Sequence, residues 1–134
     1  MSSTSFDPAV FDRLLALSAA PGAWPSEERW RYLEAAHVVG QTRFVPHLKT
    51  HARMLALAWH TRDWPEVAGQ MLRLALVPLG HTLGRLPLGN PGRSNVSAFR
   101  PFAVREDLQA TINAVSKDLA LARRDASERD PGGR

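Results

Sequence analysis

Three histidines and one glutamate lie within a short window of the chain and have the spacing of metal ligands. Glu34 and His37 are three residues apart, and His47 and His51 are four residues apart. On a helix, each spacing places its two side chains on one face, about 4.5 Å and about 6 Å apart along the axis. Each pair can therefore chelate one ion, provided that the segments carrying it are helical.

A helical hairpin would bring the two pairs together. The segment 41–45 between them is short, so a helix that follows it should return antiparallel to the helix before it. Residues that face each other across such a seam have nearly constant sums of sequence numbers. The numbers of His37 and His47 add up to 84, and those of Glu34 and His51 to 85. The four side chains are therefore predicted to converge.

Such a site would bind a transition metal. Three imidazole nitrogens and one carboxylate oxygen suit zinc, iron, manganese, nickel or copper, and do not form the oxygen cage that calcium or magnesium requires. Glu-x-x-His occurs once in the chain, which disfavours a ferritin-like di-iron centre. We predict a mononuclear site with the ligands Glu34, His37, His47 and His51.

Two questions stay open at this point. A site closed by all four ligands would serve metal handling, whereas a site with one weak ligand would allow metal-dependent catalysis. The alternative to a metal is a polar network, in which Glu34 hydrogen-bonds His37 or His51 and the other histidines bond to water or backbone carbonyls.

A second candidate site is a basic region around a glycine- and proline-rich loop. Residues 35–105 contain nine basic and two acidic side chains, a net charge of +7, and the loop spans residues 84–101. Backbone amides freed by glycine can bind a phosphate or carboxylate together with nearby side chains. An alternative function is therefore a non-metal module for an anionic small molecule or acidic partner protein. Its candidate residues are Arg85, Arg93, Ser94, Asn95 and Arg100.

The same loop also has a purely structural interpretation. The sequence Asn90-Pro91-Gly92 is typical of a tight turn, and the apolar residues of the loop can close one end of a helical bundle. Nucleic-acid binding is disfavoured, because no recognition helix is apparent and few aromatic residues accompany the basic ones.

Hydrophobic periodicity predicts an all-α bundle of four to five helices, with the loop closing one end. The expected helices span about 8–19, 46–61, 64–77 and 105–123, with a further helix that opens within 25–28 and runs to about 40. Asp7 and Ser26 are expected N-caps, and Asp63 with Glu66 resembles a capping box. Residues 1–124 should form a single helical domain, and residues 125–134 a disordered polar tail.

Composition narrows the class of protein. The chain has 134 residues, 44% of them hydrophobic, no cysteine and a net charge of +4. The lack of cysteine excludes a disulfide scaffold and a thiolate metal site. The first residues do not resemble a signal peptide, and no apolar run has membrane-spanning length. We therefore expect a cytoplasmic protein without a membrane partner, for which a homodimer remains open.

Residues 34–102 resemble a family of short bacterial proteins known only as a domain of unknown function. The resemblance is carried by Arg62-Asp-Trp-Pro-Glu66 and above all by the motif Gly-Arg-x-Pro-x-Gly-Asn-x-Gly-Arg-x-Asn-Val-Ser at Gly84–Ser97. It implies a bacterial source and a small helical domain, and it implies no activity. Any function must therefore be derived from the residues themselves.

Overall fold

The computed structural model describes residues 5–20, 22, 25–98 and 100–129. These residues form five helices and no strand, which confirms the predicted all-α bundle. The helices are α1 (Pro8–Ala19), α2 (Ser26–Gly40), α3 (Phe44–His60), α4 (Trp64–Leu83) and α5 (Glu106–Arg129). Among these residues, no helix combines the length and apolarity that a membrane crossing needs.

Local signals explain most of the helix starts. The Asp7 carboxylate accepts the backbone N–H groups of Ala9 and Val10, so α1 begins where the sequence predicts. Ser26 is already helical and makes no capping bond, because Pro25 occupies the cap position. Asp63 accepts the N–H of Glu66 at 3.2 Å and caps α4.

Helix α4 extends further than its sequence predicts. It continues through Pro78 to Leu83, although the sequence predicts its end at about residue 77. A proline removes one backbone hydrogen bond, but the following turns still close. The helix ends at Gly84, whose φ of +66° turns the chain so that the N–H of Arg85 bonds to the carbonyl of Gly80 at 2.9 Å. The added turns place His81 on the helix rather than in a loop.

Helix α2 lies at the centre of the bundle. It packs against α1, α3 and α5, and every residue from Leu33 to Gly40 is buried. The small side chains of Ala35 and Ala36 allow neighbours to approach on several sides. One hydrophobic core, with residues such as Leu14, Leu33, Met54, Val67 and Leu108, joins all five helices.

The last helix has two different halves. Leu108, Ile112 and Val115 are buried against the bundle, whereas residues 120–129 are exposed. The helix nevertheless continues to Arg129, so residues 125–129 are helical where a disordered tail was expected. Good helix formers such as Ala, Leu and Arg in this stretch explain its continuation. Residues 130–134 lie outside the described residues.

This division of α5 predicts unequal costs for two leucine truncations on one helix. Leu108→Ala removes a side chain with 0% exposure and should lower the free energy of unfolding by about 2–5 kcal/mol. Leu121→Ala, at a position 47% exposed, should change it by no more than about 0.5 kcal/mol. Urea denaturation of both variants measures the two costs. Equal costs would contradict the described packing of α5.

Candidate metal centre

Three histidine side chains meet in the interior, where α2 and α3 cross. His37 lies on α2, and His47 and His51 lie one turn apart on α3. The Nε2 atom of His37 is 3.1 Å from the Nε2 of His47 and 3.1 Å from the Nε2 of His51. The ligand atoms of the three residues lie within 4.8 Å of one another, and each side chain is at most 3% exposed. The structure thus places three imidazoles around one point.

A backbone carbonyl determines which nitrogen of His37 carries its proton. The Nδ1 atom of His37 is 2.6 Å from the carbonyl oxygen of Asn90. A carbonyl oxygen can only accept, so Nδ1 must donate its proton to it. In the neutral ring, Nε2 is then an unprotonated acceptor. It therefore directs a lone pair towards the other two histidines.

His51 is held in the same tautomer by a chain of hydrogen bonds. The amide nitrogen of Gln70 donates to Glu66 at 2.7 Å and to the carbonyl of Gly92 at 2.9 Å. This leaves the Gln70 oxygen to accept from Nδ1 of His51, at 2.7 Å. The Nε2 atoms of His51 and His37 therefore both carry lone pairs, and they cannot hydrogen-bond each other while both rings are neutral.

His47 has a histidine as its outer partner. Its Nδ1 atom lies 3.0 Å from Nε2 of His81, which extends from α4. Since either nitrogen can donate, His47 is free to adopt either tautomer. One tautomer donates to His37, and the other presents a third lone pair to the centre. His81, which lies beyond the end of the predicted helix 64–77, thus supports the histidine cluster from α4.

The glycine-rich loop seals the cluster through close backbone contacts. Gly92 has a φ of +87°, and a Cβ atom there would lie 2.7 Å from the His37 ring. On α4, a Cβ atom on Gly69 would lie 2.3 Å from the Cβ of Ser94. Only glycine allows both approaches. The loop can therefore press its backbone against His37 and against α4 at the same time.

Burial lowers the pKa of all three histidines. The pKa of His47 is lowered to about 3 by burial and by its neighbours His51 and His81. Burial lowers the pKa of His51 to about 4, although its bond to Gln70 opposes the shift. The pKa of His37 falls well below 6.5 through burial and the proximity of His51 and His47. The cluster is therefore neutral at pH 7.

Glu34 does not join the three histidines. Its carboxylate pairs with Arg105, 2.9 Å away, and with Arg93, 3.6 Å away. Burial raises its pKa, and the two arginines oppose that shift. Side chains three residues apart on a helix point in directions that differ by about 60°. On a central helix such as α2, this difference is enough for the two side chains to contact different parts of the protein. Glu34 therefore faces the loop and the start of α5, while His37 faces α3.

Two of the loop residues proposed to bind anions are engaged inside the protein. The Arg93 guanidinium lies 3.8 Å from the centroid of the Trp30 ring and pairs with Glu34 and Glu66. Ser94 bonds to Glu66 through both its backbone N–H and its hydroxyl. Their positive and donor groups therefore neutralise two buried carboxylates of the same chain.

The other three proposed anion-binding residues, Arg85, Asn95 and Arg100, are exposed. Arg100 lies 5.8 Å from the Phe102 ring centroid. Arg85 lines a cavity of about 30 Å³ that also contacts His47 and Arg73, a volume that suffices for about one water molecule.

Sequence analysis missed the residues that orient the histidines. Glu66 was assigned to a capping box, but its carboxylate accepts from Gln70 and Ser94 instead of capping α4. Burial alone would raise the pKa of Glu66, and hydrogen bonds from Ser94 and Gln70 lower it. The four-residue spacing of Glu66 and Gln70 was a visible signal for a shared helix face. The contact of Asn90 with His37 spans 53 residues and has no local signal.

The buried neutral histidines predict acid sensitivity of the metal-free protein. Well above pH 6.5 these residues are neutral in both the folded and the unfolded chain, so they contribute no pH dependence there. As the pH falls through 6.5, the histidines of the unfolded chain become protonated. In the folded chain, protonation occurs only near the lowered pKa values, about 4 for His51 and about 3 for His47. Each such histidine then lowers the folding equilibrium constant by up to about tenfold per pH unit.

Urea denaturation at pH 7.5, 6.5 and 5.5 in the presence of a chelator measures this effect. Stability should fall between pH 6.5 and 5.5, and the exposed-site variant His60→Ala should show the same fall. Unchanged stability over that interval would contradict the described burial of the cluster.

Comparison with protein families gives one match. The family described as "Protein of unknown function (DUF3703)" covers residues 9–112. This range includes all three clustered histidines, His81 and the loop that orients His37. Comparisons with curated proteins and with solved structures gave no significant match. The chain therefore belongs to the DUF3703 family, a family of unknown function.

Proposed function

We propose that this protein binds one transition-metal ion through the Nε2 atoms of His37, His47 and His51. The observation that carries the proposal is the 3.1 Å separation of the Nε2 atoms of His37 and His51. Both atoms are acceptors, so in a neutral cluster no proton lies between them. A metal cation between the rings relieves this repulsion by accepting both lone pairs.

The distances suit a metal such as zinc. Zinc–imidazole bonds of about 2.0–2.1 Å in a tetrahedral shell place the nitrogens about 3.3 Å apart. The two Nε2 separations from His37 are 3.1 Å, and the ligand atoms of all three residues lie within 4.8 Å of one another. Changes in the ring positions, rather than in the backbone, can bring the three nitrogens to this spacing. Imidazole ligands are compatible with zinc, copper, iron and nickel, so the donor set alone does not select among them.

The outer hydrogen bonds also match those of metal-bound histidines. Such histidines usually donate their second ring N–H to a carbonyl or a carboxylate, and this bond orients the ring and raises its basicity. Here Nδ1 of His37 donates to the Asn90 carbonyl, and Nδ1 of His51 donates to the amide oxygen of Gln70. The Glu66 carboxylate accepts in turn from the amide nitrogen of Gln70, so a carboxylate lies behind the partner of His51. Removal of these partners should therefore weaken metal binding without removing a ligand.

Three protein ligands favour a metal with an exchangeable fourth ligand. Catalytic zinc sites have three protein ligands and a water or substrate, whereas structural zinc sites have four protein ligands. Because Glu34 is paired with Arg105 and Arg93, it is not proposed as the fourth ligand. Metal-dependent catalysis requires such an exchangeable position.

The first test is a metal titration with a matched pair of histidine variants. The wild-type protein should bind one equivalent of Co²⁺ with a tetrahedral visible spectrum, and Zn²⁺ should displace it. His51→Ala should weaken binding by at least about 100-fold, because a ligand is lost. His60→Ala, on the same helix but exposed, should bind like the wild type.

A thermal shift provides a second readout of the same titration. Zinc at about 100 times the wild-type Kd should stabilise the wild type by about 2.7 kcal/mol and His51→Ala by no more than about 0.4 kcal/mol. No bound metal and no shift in the melting temperature of the folded wild type would overturn the proposal. Equal binding by His51→Ala would remove that residue from the site.

A further prediction concerns the hydrogen bonds that link Glu66 to His51 through Gln70. Gln70→Met preserves the volume of the side chain but removes its bond to His51 Nδ1, so the affinity for Zn²⁺ should fall by about 10–100-fold. Competition with a colorimetric chelator measures this change. Gln109→Met, at a glutamine on α5 whose side-chain amide donates to Asn113, is the matched control. If both variants bind alike, Gln70 has no role in metal affinity.

A further inference from the structure

The outward face of α4 is apolar along its whole length. Its exposed positions include six residues at helical spacing, and none of the six is charged: Trp64, Ala68, Leu72, Ala75, Leu79 and Leu83. We call these six residues the α4 stripe. Its four large side chains are 50–61% exposed. The charged residues of the helix, Glu66 and Arg73, are buried on the opposite side.

The fold leaves this stripe at the edge of the bundle. Among the described helices, α4 packs chiefly against α3, whereas the loop covers the side that bears Glu66, Gln70 and Arg73. Large side chains are rarely left exposed in a contiguous row on a monomeric protein, and such rows mark interaction sites. The stripe is therefore a candidate interface.

The spacing along the α4 stripe is the same whether it is counted from the N-terminal or from the C-terminal end of the helix. Successive members are four, four, three, four and four residues apart. If two copies of α4 pair antiparallel around a two-fold axis, facing residues have sequence numbers that add up to 147. Trp64 then faces Leu83. A contact of this kind is isologous, since each copy presents the same surface to the other.

Side-chain size is also complementary in that pairing. Ala68 faces Leu79, and Leu72 faces Ala75, so a large side chain meets a small one in both inner pairs. This alternation allows the ridges of one helix to fit the grooves of the next. We propose that the α4 stripe is the interface of a symmetric homodimer, in which α4 packs antiparallel against α4 of a second copy.

Charge favours a second copy over other partners. The chain carries a net charge of +4, so two copies repel each other less when they meet at a surface without charge. An acidic partner would need basic residues on the stripe, and there are none. Helices that lie on membranes commonly carry Lys or Arg beside the apolar face, which the exposed positions of α4 lack.

The size of the interface indicates a weak dimer. A helix of 20 residues is about 30 Å long, and a contact strip about 10 Å wide covers about 300 Å² per copy. Complexes below about 1,200 Å² of total buried area are usually transient. The dimer should therefore dissociate on dilution. The inference does not depend on metal binding, because the stripe lies opposite the residues that orient the histidines.

Sedimentation velocity over about 1–500 μM tests the proposal, since a weak interface dissociates within such a range. The wild type should shift from 14.8 kDa towards twice that mass as concentration rises. Leu72→Lys should raise the dimer Kd by at least about tenfold, because it places two like charges in the interface. Leu121→Lys, at an equally apolar and exposed position on α5, should behave like the wild type. Circular dichroism verifies that all variants are folded.

A pair of double variants tests the antiparallel register. Leu72→Lys/Ala75→Glu places opposite charges across the proposed interface, whereas Leu72→Lys/Ala75→Lys places like charges there. The first should dimerise more tightly than the second. A wild type that is monomeric at every concentration, a dimer that is indifferent to Leu72→Lys, or equal behaviour of the double variants would overturn the proposal. A monomeric wild type that sediments with phosphatidylserine vesicles, and loses this through Leu72→Lys, would replace the second copy by a membrane surface.

Discussion

The hydrogen bond between His37 and the Asn90 carbonyl is the contact on which the site depends. A carbonyl cannot donate, so this one bond assigns the proton of a buried imidazole and directs its lone pair inward. The Gln70 amide does the same for His51. Two acceptors therefore face each other at 3.1 Å inside a protein core. We propose the metal because these two lone pairs repel each other. The spacing of the histidines alone would not require a metal.

The loop has a structural role, although its glycine and arginine content is typical of a site that binds anions. Its backbone contacts the His37 ring, its Arg93 pairs with Glu34 and Glu66, and its Ser94 donates hydrogen bonds to Glu66. The carboxylates come from two different helices, so the loop connects α2 to α4. A basic, glycine-rich segment can therefore serve the interior of its own protein. This assignment removes the strongest reason for regarding Arg93 and Ser94 as an external anion site.

Much of the fold follows from local sequence. Asp7 and Pro8 start α1, Asp63 and Pro65 start α4, and both starts are visible as N-cap signals. The antiparallel hairpin also brought the histidines of α2 and α3 together from spacing alone. The position of Glu34 was not predictable in this way. Its arginine partners lie 59 and 71 residues away, and only the closed loop brings them to α2.

The separation of the ligands from the residues that orient them has a consequence for biosynthesis. All three clustered histidines precede residue 52, whereas Gln70, His81 and Asn90 follow it. A ribosome that has released only α1 to α3 exposes the imidazoles without the groups that assign their protons. The loop closes over a long stretch of chain, which is a slow, entropically costly step. The orientation of the imidazoles is therefore completed late, and a nascent or truncated chain lacks it.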